Sequence, residues 1–486
     1  MNRRNFVSML STLAASGLGF PMIAVHAEEA KNIAERLAAY TYSLTYDDLD
    51  AATIETVKTH LADALGCGVA ALKQRPVEIA RQVALLDSAG NGTSTVMGTS
   101  ARTSPALATF ANGAAIRYFD LNDVYAGKEI GHPSDNATAC LAQGEAQKAH
   151  GRDVILAIAI AYEIDCQLMD GASASSRGWD HPIFSLPAAA LACGKLMKLT
   201  PAQLTQAVNI AINGHIALNQ TRVQTMSNWK GLADADAARN GVFAAELARG
   251  GITGPSPIFE GEAGLFKQVT GPFTVDTSKF GNKTQRFKIR DCAVKFYPAQ
   301  VLTQTAIVAG IDVAKQVGDL SRIAAIEIKT SQQGRFTAGL DREKWAPASS
   351  ETADHSLPYV TARAMLDGDI GLNSYRQEAL HDPKALALMK RTTVVEDPEL
   401  TKLFPKYYAT VVTVTLDNGK TYSKRVDDVP GFATHPMSRS DFEVKFRKNA
   451  NDVIGAKQAD AALATLWDLE NLDDISKIFT PFVLPS

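Results

Sequence analysis

Twenty residues from Arg117 to Asn136 crowd carboxylates, one imidazole, two phenols, two glycines and a proline into one polar segment. That mixture suits neither a helix nor a strand, and its Gly and Pro punctuate it as loop. Loops carried on a rigid scaffold are where catalytic groups concentrate. Asp120 and Asp123 precede His132, and carboxylate and imidazole both move protons near neutral pH. Taken alone, the stretch reads first as a polar surface loop with a capping Asp, because short motifs also arise by chance.

Three further polar sites stand out against apolar neighbours. Arg177-Gly178-Trp179-Asp180-His181-Pro182 precedes an apolar helical run, as does Met226-Ser227-Asn228-Trp229-Lys230-Gly231. Val294-Lys295-Phe296-Tyr297-Pro298-Ala299-Gln300 leads into a third. The last two set a lysine shortly before a helix N-terminus, where anions gather, which makes a place for carboxylates. Singly, each reads as a solvated lysine or a satisfied structural histidine.

The elements that must position these groups are mostly helical. From about 30 to about 270, alanine is abundant and apolar residues recur at three and four. Asp48 to Ala71, Asp153 to Met169, Leu186 to Leu196, Pro201 to Leu218 and Leu232 to Arg249 read as helices, the second apolar nearly all round. Near Gly271 the character changes. Phe273-Thr274-Val275, Phe287-Lys288-Ile289 and Ala325 to Thr330 predict strands, and Gln300 to Val317 a helix. Thr410 to Leu416 and Thr421 to Val426 flank Asn418-Gly419, a favoured hairpin turn. Ser440 to Arg447 and Ala459 to Leu469 return to helix. The expected fold is mainly α: a large all-α helical domain of 28–270 plus 431–486, with a smaller α+β lid domain, 271–430, inserted.

At 486 residues the chain exceeds what one hydrophobic core usually holds. The 46% apolar and 21% charged fractions are those of a globular protein. A net charge of −3 offers no footprint for nucleic acid. Residues 1–27 carry Arg3-Arg4 before Phe6 and a mildly apolar run ending Val25-His26-Ala27, which resembles a twin-arginine signal. A periplasmic or exported protein is expected, with no membrane partner once the signal is removed. The cysteines number five, Cys67, Cys140, Cys166, Cys193 and Cys292, none in a C-x-x-C pair, so neither a disulfide framework nor a thiolate metal site is indicated.

Taken together, the polar stretches resemble the MmgE/PrpD family of 2-methylcitrate dehydratases, cis-aconitate decarboxylases and an iminodisuccinate epimerase. The resemblance rests on Asp120-Leu121-Asn122-Asp123 with Gly131-His132-Pro133, then His181-Pro182, Lys230-Gly231, Lys295-Phe296-Tyr297-Pro298-Ala299 and Ala353-Asp354-His355-Ser356-Leu357-Pro358-Tyr359. It runs from about 30 to 475. It implies a helical domain built from both chain ends, an inserted lid, a cleft between them, a homodimer, and no metal or organic cofactor. It makes Asp120, His132, His181, Lys230 and Lys295 pocket residues.

Elimination of water from a small hydroxy-carboxylate needs a base at the carbon beside a carboxylate, an acid for the leaving hydroxyl, and cations for the carboxylates. His132 and His181 are expected to share base and acid, in either order. Asp120 is expected to orient an imidazole, and Lys230 and Lys295 to clamp carboxylates. The implied activity is a cofactor-independent dehydratase. An epimerase, a decarboxylase or an exported carboxylate-binding protein without turnover are the alternatives. Two departures stand out. Val124 replaces a Thr usual in the family, which would remove one substrate contact. Gln300, a substrate-binding candidate, stands where cis-aconitate decarboxylases carry His, which argues against decarboxylation. His355 reads equally as a pocket residue or as a lid or dimer contact.

Overall fold

The computed structural model describes residues 31–86, 91–215 and 217–484. The expected signal at 1–27 lies outside them. The described chain is mainly helical, and Asn32 onward forms one compact unit.

The helical reading from about 30 holds as far as Arg249, with shifted ends, whereas 250–270, also expected to be helical, is largely irregular up to the single turn Phe266–Thr270. Asp50 accepts from the Thr53 amide and so starts the Ala51–Ala71 helix. Gly151–Gly171 is buried on nearly every face. The helix expected from Leu186 begins earlier, at Pro182, whose missing N–H and fixed φ suit a first turn. The helix opening at Pro201 stops at Asn213, short of Leu218. Ala233–Arg249 follows the Lys230 turn. The C-terminal helices Arg439–Ile454 and Ala456–Trp467 pack back on these, and their Phe446, Leu463 and Leu466 share one hydrophobic core with Leu61, Ile158 and Leu191.

A four-stranded sheet carries the second core. Its order is Thr392–Glu396, Ile323–Thr330, Thr410–Leu416, Thr421–Val426. The first pair is parallel and the other two antiparallel. Alternation along Thr410–Leu416 puts Val412, Val414 and Leu416 inward, against the Gln304–Val317 helix. The hairpin turns at Gly419 with φ +81°, a conformation open to glycine at no steric cost.

Two expected strands do not form. Phe273–Val275 is irregular, and Phe287–Ile289 leads into a single 3₁₀ turn, Lys288–Asp291. Neither run meets a partner strand among the described residues. Their aromatics anchor loops instead: Phe273 stacks on Phe266 at 4.9 Å between ring centres, and Phe287 is buried against Gly281.

Candidate active site

The Pro105–Arg117 helix delivers Arg117 at its last turn, and the chain then turns at Asp120 with φ +52°. Asp is one of the few side chains that visit the left-handed region. Val124 then pairs with Ala293 through two backbone hydrogen bonds of 2.8 Å. A two-residue hairpin, Tyr125–Ala126 with Ile130–Gly131, leads to His132. A Cβ at Gly131 would lie 2.6 Å from Met169 Sδ and 3.3 Å from the His181 ring, so a larger residue there would displace the Met169 thioether.

Asp123 locks this loop from behind. His60 Nδ1 lies 2.8 Å and the Tyr162 hydroxyl 2.7 Å from its Oδ2, and the Ser134 amide donates to Oδ1. Its carbonyl accepts from His132 Nδ1 at 2.7 Å. That bond places the His132 proton on Nδ1 and leaves Nε2 as an acceptor. Arg117 Nη2 donates to Nε2 at 2.8 Å.

Asp120 is the hub of the site. Arg117 Nη1 donates to it, and Lys295 Nζ lies 2.6 Å from its Oδ1 and also donates to its carbonyl. Lys230 Nζ is 3.7 Å, His355 Nδ1 3.8 Å and His132 Nε2 4.0 Å away. Burial alone would raise the Asp120 carboxyl, but Arg117, Lys230 and Lys295 hold it well below the usual carboxylate range. Burial pulls Lys295 down to about 8 against the pull of Asp120, and neighbouring Arg117 adds to the fall.

The two site histidines sit 5.4 Å apart, ring centre to ring centre. Burial, then the Arg117 and Lys295 cations, push His132 well below its ordinary value. His181 is the opposite. Its Nε2 lies 2.8 Å from Asp234 Oδ1 and its Nδ1 3.1 Å from Asp180 Oδ1. Burial disfavours the cation there, but Asp234 and Asp180 outweigh it and raise His181 to about 10. Arg222 ties both carboxylates together: Nε donates to Asp180 at 3.0 Å and Nη2 to Asp234 at 2.9 Å. His181 Nε2 is buried against Asp234 Oδ1 without an aligned hydrogen bond.

These groups line one cavity. Asp120, His132, His181, Lys295, Gln300 and His355 border it, with Arg117, Arg222 and Lys344 adding positive charge. Gln300 accepts from the Leu302 amide and caps the turn there. Lys230 is placed one layer back: it does not border the cavity, and its Nζ lies 2.6 Å from Asp354. His355 is on the cavity wall, its Nδ1 2.5 Å from Asp354 Oδ1. Val124 does not touch the cavity. It is buried with Ala293, Val301, Leu302 and Phe432, so the expected loss of a substrate contact at this position is corrected: the methyls fill an apolar pocket. His60 lies behind the site, on Asp123.

Sequence reasoning missed Arg117, Arg222, Asp180 and Asp234 as site residues. Asp180 adjoins His181 and was within reach. Asp234 and Arg222 come together with His181 only through folding. Asp120, Asp354 and His355 also bring donor atoms within 4.8 Å of one another, a metal-like grouping. Their charge is already met by the Lys230 and Lys295 ammoniums, so the set fits a cation network of the chain's own.

Comparison with known proteins matches the MmgE/PrpD N-terminal domain over residues 35–278 and the MmgE/PrpD C-terminal domain over 297–470. The chain is similar to a cis-aconitate decarboxylase of Homo sapiens, 26% identical over 94% of this chain and 95% of that protein. It is 28% identical to a 2-methylcitrate dehydratase of Cupriavidus necator, over 89% and 93% of the two chains. A 2-methylcitrate dehydratase of Escherichia coli (strain K12) is 25% identical over 89% of this chain.

Proposed function

Since the chain belongs to the MmgE/PrpD family, we propose that it is a lyase that dehydrates a small di- or tricarboxylic acid of the 2-methylcitrate or aconitate type. Dehydratases and decarboxylases among its relatives support a lyase. The observation that carries the finer reading is the pair of adjacent imidazoles held in opposite protonation states. When two titratable groups are pushed apart in this way, the pushing assigns base and acid.

His132, neutral with its lone pair on Nε2, is the base. It takes the proton from the carbon beside a carboxylate, and the electron pair moves into that carboxylate as an enediolate. Arg117 and Lys295 stabilise the charge that develops there. The pair then forms the C=C bond as the C–O bond breaks. His181 Nε2–H protonates the leaving hydroxyl, which departs as water. Arg222 and Asp180 keep the acid in place throughout. Proton exchange with solvent resets both rings.

The test is turnover by purified protein offered citrate, 2-methylcitrate and related hydroxy acids, followed by ultraviolet absorbance of the unsaturated product. Absorbance should rise with at least one acid in the wild type and not in His132→Gln or His181→Gln. Full activity in both variants would refute the assignment. An epimerase reading draws on the same pair, since two proton-carrying rings 5.4 Å apart can serve two faces of one carbon. Export through the Arg3-Arg4 segment, a lid formed by 271–430 and a homodimer belong to the same proposal. Cell fractionation tests the first, ligand-dependent protease protection the second and sedimentation the third.

A further inference from the structure

Arg117 does more than supply charge. The only lone pair of His132 is occupied. Nδ1 donates to the Asp123 carbonyl at 2.7 Å, which leaves Nε2 as the acceptor, and Arg117 Nη2 fills it at 2.8 Å. A guanidinium only donates and does not give up its proton in a protein. As it stands, His132 has no free electron pair with which to take a proton from carbon.

We propose that Arg117 is a latch on His132 that the carboxylate of the substrate releases. The inference rests on the carboxylate-lyase reading above. Arg117 is anchored by Nη1 on Asp120, while its Nε faces Asp135 at 3.7 Å and Asp234 at 3.6 Å without a hydrogen bond to either. The fork therefore has an anchored prong and a second prong, Nη2, that rests on a neutral acceptor. Arg117 lines the cavity beside His132 and Lys295. A substrate carboxylate arriving there offers Nη2 an anion in place of a neutral ring nitrogen, so the exchange adds a full ion-pair attraction that the imidazole does not supply. Transfer of Nη2 to the carboxylate bares His132 Nε2 beside the carbon that the carboxylate activates. The base becomes available only when there is a substrate to deprotonate. Arg117 acts on the chemistry through His132 and is in that respect a positioning residue.

The experiment is nitrogen NMR on protein labelled with ¹⁵N-histidine, with His132 assigned by its loss in His132→Gln. The probe is tricarballylate, a tricarboxylate that lacks a leaving hydroxyl, and its binding is followed in parallel by calorimetry. Saturating tricarballylate should move the His132 Nε2 resonance downfield, to the position of an unoccupied acceptor, with Nδ1 unmoved. In Arg117→Met, which has no donor to place on His132, Nε2 should start at that position before any ligand is added. If that variant does not fold, the wild-type titration decides alone. Binding of tricarballylate with Nε2 unmoved would overturn the latch and leave the lyase reading intact. Absence of binding would overturn the carboxylate reading and the latch with it.

Discussion

His132 and His181 face each other edge to face across 5.4 Å, one ring hydrogen-bonded as a neutral acceptor and the other wedged between two carboxylates. A pair of identical side chains is thereby split into a neutral ring and a protonated one. The split comes from burial and then Arg117 for the first, and from Asp234 and Asp180, outweighing burial, for the second.

Asp234→Asn should show the split directly. His181 must be protonated to donate, so wild-type kcat should fall as pH rises through about 10. Removing one of its two carboxylates lowers that limb by about one to three pH units, the usual effect of a close opposite charge. The linked stability has the same sign. His181 titrates higher folded than unfolded, so its contribution is full below about 6.5 and lost as pH rises through about 10. A pH–rate profile and denaturation at pH 6 and pH 10 measure both.

Lys295 should limit binding before His181 limits chemistry. It clamps a carboxylate only as the ammonium, and burial brings it down to about 8. KM should rise above that pH and kcat should fall with it, because Lys295 also stabilises the charge that develops on the carboxylate. Lys295→Met should cost kcat/KM about ten- to a hundredfold, or roughly 1.4–2.8 kcal/mol. Steady-state kinetics from pH 6 to pH 9 test both statements.

Asp120 should matter for stability as much as for turnover. Asp120→Asn leaves the buried Arg117 and Lys295 without their shared anion, and breaking a buried pair costs about 3–5 kcal/mol. Asp120→Ala should cost about 1–2 kcal/mol more, because Asn tolerates the left-handed φ and Ala does not. The Asp120 carboxyl is depressed, so its stabilisation is full above about 3.9 and lost as pH falls through the lower folded value. Denaturant titration at pH 7 and pH 2 reads these differences.

Val124→Thr should leave KM unchanged and lower stability by about 1–3 kcal/mol, since it buries a hydroxyl among Ala293, Val301 and Phe432. A fall in KM would mean that the side chain reaches the substrate after all.

Much of this was legible in the sequence where a local signal existed. The helices followed from apolar spacing, and the 410–426 hairpin from alternation and Asn418-Gly419. His132, His181, Asp120 and Lys295 stood out because polar groups interrupt apolar text, and the structure gathers all four on one cavity. What could not be read was long-range. Phe273 and Phe287 look like strand residues until their ring partners are known. Val124 looks like a lost contact until the apolar cluster behind it is seen. The protonation of His181 depends on Asp234, 53 positions further along the chain but 2.8 Å away.

The most direct measurement is proton NMR of the protein with 2-methylcitrate and related hydroxy acids in deuterated water. A new alkene resonance in the wild type, lost in both His132→Gln and His181→Gln, is the expected result. Deuterium exchange with the carbon skeleton unchanged would make the protein an epimerase. Binding without exchange or alkene would contradict the account of this site as a catalytic acid–base pair.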